Sequence, residues 1–260
     1  KFESHALYHI FAAFYFLADY DEPIKYALDM LHHSYEHKDR LSQANALNAI
    51  GTVHYTTGED EKAIADLFMG LEIASHYDDQ QLIARLLDGL GSAYFNLKNI
   101  DKSIEYKKRS LEVSRLIGSK QIESYAVDGL AQIYLETGDY KNAEKTFLEC
   151  LTIREETQFI SGIAETNLHI GNLYLKTDQI DKAFVYLDKA LKISSETNTK
   201  EVLYKSHKAL AKYYEEKSET HKFVEHFKQY YSLKDEFFSE KPKQKQARTG
   251  MQMSILQMKK

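Results

Sequence analysis

The chain's eleven histidines are the residues best placed to do chemistry. His5 with His9 and His33 with His37 are four apart, a spacing that puts both imidazoles on one helix face, where such a pair can chelate zinc. Neither pair is an HExxH and no third ligand is set beside either. They read as ordinary surface or interface histidines, and no metal site is expected. His169, His207, His221 and His226 have no evident partners in the sequence. The lone Cys150 excludes an internal disulfide framework and fits a reducing, cytoplasmic setting. No GxxxxGK[ST] or GxGxxG run is present to cradle a phosphate, and no nucleophile stands with a base. Neither catalysis nor a cofactor is expected.

Most of the glycines are explained by their spacing. A small residue recurs every 40 positions at Gly51, Gly91, Ala131, Gly171 and Ala211, with one more copy beginning at Ala12. One position before it stand Ile50, Leu90, Leu130, Ile170 and Leu210, and three after it His54, Tyr94, Tyr134, Tyr174 and Tyr214. Twelve after come Ala63, Ser103, Ala143, Ala183 and Phe223, and twenty after come Leu71, Leu111, Leu151, Leu191 and Tyr231. A fifth column is Ile73, Val113, Ile153, Ile193 and Leu233. Five columns in register describe a helical repeat array. His54 then reads as a packed ring. Cys150 falls in a small-residue column with Gly70, Ser110 and Ala190, so packing is its expected role.

These columns, with the turn Gly138-Asp139-Tyr140 followed by Ala143, resemble the tetratricopeptide repeat over roughly residues 5–240. The resemblance implies an all-α fold, a TPR-type α-solenoid in which helix hairpins form a right-handed superhelix. About six helix pairs would fill 1–240, and 241–260 would be a helical linker or a disordered tail. The usual period is about 34 residues; a period of 40 makes each helix nearly a turn longer. Repeats this long resemble those of bacterial peptide-sensing regulators, signalling input domains and animal scaffold proteins.

Bulk properties narrow the class further. A net charge of −5 argues against a nucleic-acid or anionic-membrane surface. The longest apolar run, Ile10 to Ala18, is too short to span a bilayer. The nineteen tyrosines and thirteen phenylalanines fall largely in repeat columns, which favours core packing over base stacking. The chain starts without a methionine or a signal-peptide pattern and reads as a segment of a longer product.

Along the chain, 2–17 is expected as an apolar leading helix, covered by upstream repeats or a partner subunit, with a second helix over 22–37. Later pairs turn at Gly58, Lys98-Asn99, Gly138-Asp139, Asp178-Gln179 and Ser218-Glu219, and Gly118, Gln158 and Asn198 sit between pairs where left-handed backbone is expected. Phe223, Phe227, Tyr230 and Tyr231 replace small residues, so the last helix is expected to pack its rings back on the array. In the tail, Met251, Ile255 and Met258 have coiled-coil spacing over a stretch too short to separate a seam from a frayed linker. A homodimer through this tail or the first helix is a candidate.

The remaining chemistry is a groove. Leading helices of such arrays line a concave face, and helical periodicity points the residues six and three before the small position, and one after it, inward. These are Asn45, Asn48 and Thr52; Arg85, Asp88 and Ser92; Tyr125, Asp128 and Gln132; Glu165, Leu168 and Asn172; and Lys205, Lys208 and Lys212. Amide side chains among them can satisfy both the N–H and C=O groups of an extended peptide. Asp88, Asp128 and Glu165 form an acidic middle and the three lysines a basic end, so a peptide would lie with a cation at the first and an acidic group at the second. The expected function is peptide or protein binding, as the regulatory input or assembly module of a larger bacterial signalling protein. A kinase, nucleotide cyclase or transcription regulator would be the output. The alternatives are a stand-alone scaffold or a peptide-pheromone receptor.

Overall fold

The computed structural model describes residues 21–239. The expected leading helix over 2–17, the His5–His9 pair, the tail seam at Met251, Ile255 and Met258, and a dimer contact through either end lie outside the described residues. Within them the chain forms eleven α-helices: α1 (Asp21–Glu36), α2 (Arg40–Thr56), α3 (Asp60–His76), α4 (Gln80–Asn96), α5 (Ile100–Leu116), α6 (Lys120–Glu136), α7 (Tyr140–Glu156), α8 (Ile160–Lys176), α9 (Ile180–Glu196), α10 (Lys200–Glu216) and α11 (Thr220–Ser239). They agree with the expected helices to within a residue or two. Each of α2 to α10 has 17 residues.

The backbone repeats at half the sequence period. Every helix is joined to the next by three residues, and the middle one is always left-handed: Lys38, Gly58, Asp78, Lys98, Gly118, Gly138, Gln158, Asp178, Asn198 and Ser218. After it, the next N–H reaches back to close the helix, as in Asp39 N to Ser34 O, Asn99 N to Tyr94 O and Glu219 N to Tyr214 O, each 2.9 Å. This satisfies carbonyls that a helix end otherwise leaves bare. That same last link residue often caps the following helix. Asp39, Asp79, Asn99 and Asp139 accept from the N–H groups of Ser42, Leu82, Lys102 and Asn142. One helix is stopped and the next started within three residues, which returns the chain antiparallel.

The chain divides into two compact units, with the boundary inside α6 between Gly129 and Leu130. In the first, consecutive helices from α1 to α5 pack in turn, and α2 also packs beside α4. Its core gathers Ile24, Leu47, Ile50, Val53, Leu67, Leu86 and Leu90. The second is built the same way from α7 to α11, with α8 beside α10, around Phe147, Leu168, Ile170, Leu173, Leu187 and Leu210. The small column has a steric cause. A Cβ on Gly51 would lie 2.7 Å from Leu67 Cγ, and one on Gly171 2.4 Å from Leu187 Cδ2, so in these pairs the second helix drives a side chain into the space the glycine leaves.

α11 runs three residues past the length of its predecessors. Phe223 packs on the core, and Tyr230 and Phe237 are buried, with ring centroids 6.2 and 5.4 Å from that of Tyr204. Phe227 and Tyr231 do not follow the expectation and stay exposed. Phe227 stands in the column of Leu67 and Leu187, which elsewhere slots against a following leading helix; among the described residues no helix follows α11.

Candidate functional site

Side-by-side packing of leading helices sets the face on which the expected binding residues lie. In the first unit Asn45 is half-buried and donates through Nδ2 to its own helix at Leu41 O (3.0 Å). Asn48 is 6 % exposed, and its carboxamide has no hydrogen-bond partner among the described residues. Thr52 donates to Asn48 O (2.8 Å). Arg85 and Tyr125 are half-buried, and Asp128 is buried. In the second unit Gln132 and Asn172 are half-buried, and the Asn172 side chain also lacks a partner among the described residues. Lys205 donates to Glu201 (2.6 Å), Lys208 lies 5.9 Å from the Tyr230 ring centroid, and Lys212 is exposed.

Two cations from second helices alter the electrostatics of these faces. Lys107 on α5 occupies the column otherwise held by Leu67, Phe147 and Leu187. Its side chain is 5 % exposed, and its stem fills the space beside Gly91 and Gly129, where added Cβ atoms would lie 2.7 Å from Cγ and 2.5 Å from Cε. Nζ donates to Asp88 Oδ1 (2.7 Å) and Ser92 Oγ (2.8 Å). The charge of Asp88 is met inside the chain rather than left for a ligand.

Arg154 on α7 makes a similar exception in the second unit. It stands in the column of Ala74, Ser114 and Ser194 and is 1 % exposed. Nη1 donates to Gly162 O (2.9 Å), Thr166 Oγ1 (2.7 Å) and Glu165 Oε2 (3.2 Å), and the guanidinium lies over Phe159. Glu165 is thereby paired as well. Sequence reasoning overlooked both cations, although each is legible as a long charged residue out of place in its column.

The faces so formed carry carboxamides, hydroxyls and internally neutralised charges. Such a surface recognises by hydrogen bonding. Elsewhere the expected packing residues find small polar partners: His54 is buried with Nδ1 2.9 Å from Asp66 Oδ2, and Cys150 is buried with Sγ 3.7 Å from Thr166 Oγ1.

His207 on α10 and His226 on α11, without evident partners in the sequence, meet each other with Nδ1 atoms 3.0 Å apart, and Tyr214 stacks on His226. Burial first, then the charge of His226, pushes His207 down to about 4, and burial lowers His226 too despite nearby Glu225; Lys222 adds to that lowering. The neutral pair is the folded form. Between the ordinary histidine value near 6.5 and about 4, the unfolded chain binds the proton first, so stability falls as pH falls. From pH 7.5 to 5.0, His207 is expected to cost the second unit on the order of 1 kcal/mol, the full shift being reduced by solvent at this partly open site. Urea unfolding at the two pH values should show this loss, and His207→Leu should remove the part that His207 contributes while leaving that of His226.

The tetratricopeptide repeat family matches residues 82–156 and again 164–197. A search of curated protein sequences finds no match. Among solved structures, the apo form of RapI is similar with a TM-score of 0.68 at 16% identity, covering 97% of this chain and 96% of that one. A Rap protein complexed with Competence and Sporulation Factor gives 0.68 at 15%, covering 92% and 76%. A signal transduction ATPase with numerous domains and a tetratricopeptide repeat sensor, from Pyrococcus horikoshii, gives 0.62 at 16%, covering 89% of this chain and 36% of that one. Residues 82–156 and 164–197 carry tetratricopeptide repeats, and the described residues form an all-α array of helix hairpins like those of these solved structures. Among the described residues no helix is long and apolar enough to cross a membrane.

Proposed function

We propose that the inner faces of the leading helices bind an extended peptide or protein segment, and that the array is the regulatory input or assembly module of a larger signalling protein. Asn48 carries the binding reading. Its carboxamide makes no hydrogen bond within the described residues and keeps its polar atoms open to water, so both its N–H and its C=O stay available to a ligand. An extended ligand supplies both the N–H and the C=O it needs, and Asn172 offers the same groups in the second unit. Lys205, Lys208 and Lys212 suit an acidic group or a carboxyl terminus in the second unit. A ligand bridging α2 and α4, or α8 and α10, favours one packing of those helices through its differential affinity, which is the means of signalling. The likeness to a Rap protein solved with Competence and Sporulation Factor, and to the sensor-bearing ATPase, supports the input role. The exposed Phe227 and Tyr231, which offer a second contact surface, favour a scaffold as the other reading.

Random peptides of about a dozen residues, selected by display on the full chain, supply the probe. Their affinity is expected to fall about fivefold in Asn48→Ala if they dock on the first unit, and similarly in Asn172→Ala or Lys212→Ala if on the second, one hydrogen bond or exposed charge being worth about 1 kcal/mol. Selected peptides that bind all three variants as tightly as the parent chain would sink the inner-face reading.

A further inference from the structure

The last turn of α1 and the link after it hold His33, Glu36 and His37, whose ligand atoms all lie within 4.8 Å of one another. Glu36 is the third donor that spacing alone did not bring to the His33–His37 pair. The geometry points to a binding site for a divalent transition ion of the zinc class, with these three as its protein ligands and water completing the shell.

Three observations bear on it. First, His33 breaks the packing pattern: its column is otherwise aliphatic, with Ile73, Val113, Ile153 and Ile193, and a half-buried imidazole there is not what the repeat requires. Second, His37 Nδ1 lies 2.9 Å from His33 O. A carbonyl only accepts, so Nδ1 carries the proton and Nε2 keeps its lone pair for a metal; a backbone carbonyl is a common holder of metal-ligating histidines. Third, two imidazoles and a carboxylate are a donor set zinc favours, and the negative end of the α1 dipole adds to the attraction of a cation. The rings are already close, with centroids 4.0 Å apart, and Glu36 and His37 are exposed, so an ion enters without opening the fold and displaces only the exposed His32 Nε2 from Glu36 Oε1 (3.2 Å).

The test is calorimetric titration of the full 260-residue chain with zinc chloride at pH 7.5. One saturable site is expected, weakened at least tenfold in His33→Ala/His37→Ala and less in Glu36→Gln. The variant His5→Ala/His9→Ala serves as the control for the other histidine pair and should retain the site. Because the three residues lie at the end of one helix, circular dichroism of each variant should match the parent. No saturable binding, equal binding by His33→Ala/His37→Ala, or loss that follows His5→Ala/His9→Ala would each overturn the site, and none of them bears on peptide binding.

Discussion

Asp88→Ala is expected to destabilise the first unit by about 3–5 kcal/mol, far more than truncating a partly exposed aspartate on a helix normally costs. The reason lies in what it abandons. Lys107 Nζ would keep the Ser92 hydroxyl but lose its carboxylate, leaving an ammonium in a side chain only 5 % exposed. The converse change behaves differently. Lys107→Leu puts into the column the residue found at Leu67 and Leu187, in space that Gly91 and Gly129 already leave. It strands only the Asp88 side chain, which at 17 % exposure can regain water. Replacing a buried ion pair by apolar residues of similar volume is often neutral or stabilising. Lys107→Leu and the double variant Lys107→Leu/Asp88→Ala are therefore expected within about 1 kcal/mol of the parent. The chain has no tryptophan, so unfolding in guanidinium is best followed by circular dichroism. An Asp88→Ala loss below about 1 kcal/mol would show that the pair is solvated and that Asp88 remains open to a cationic ligand.

That comparison shows where the sequence was transparent and where it was not. Helix pairs and turns were readable because glycine, alanine and aromatic columns are imposed by contacts such as Leu67 against Gly51, which recur every 40 residues. The 20-residue backbone period was hidden because left-handed link positions accept Lys38, Lys98 or Gln158 as well as glycine, the strain being offset by the carbonyls the link satisfies. Helical periodicity placed the inward residues by considering one helix at a time. It could not show that Lys107 and Arg154 reach across from the second helix of a pair, with long stems that cover core while their heads meet Asp88 and Glu165.

Arg154 gives the other large effect, and one that tests whether the repeat tolerates a redistribution of volume. Arg154→Ala is expected to cost about 3–5 kcal/mol, because it empties a filled site and removes the donors to Gly162 O, Thr166 and Glu165. The preceding copy solves the same packing problem with Ser114, Ser119 and Ile122 where this one has Arg154, Phe159 and Gly162. A large residue has moved from one side of the hairpin to the other. Gly162→Ile alone is expected to be severe, since its Cβ would lie 2.4 Å from the Phe159 ring and 2.9 Å from Arg154 Cδ. Arg154→Ser/Phe159→Ser/Gly162→Ile restores the neighbouring solution and is expected within about 2 kcal/mol of the parent, a large non-additive recovery among residues in contact. A triple variant as unstable as Gly162→Ile would mean the two arrangements are not interchangeable. The same variant also separates stability from recognition. It frees Glu165 from its guanidinium without unfolding the unit, so a peptide with a cationic group that docks there should bind the triple variant more tightly than the parent, whereas a peptide held by Lys212 should not gain.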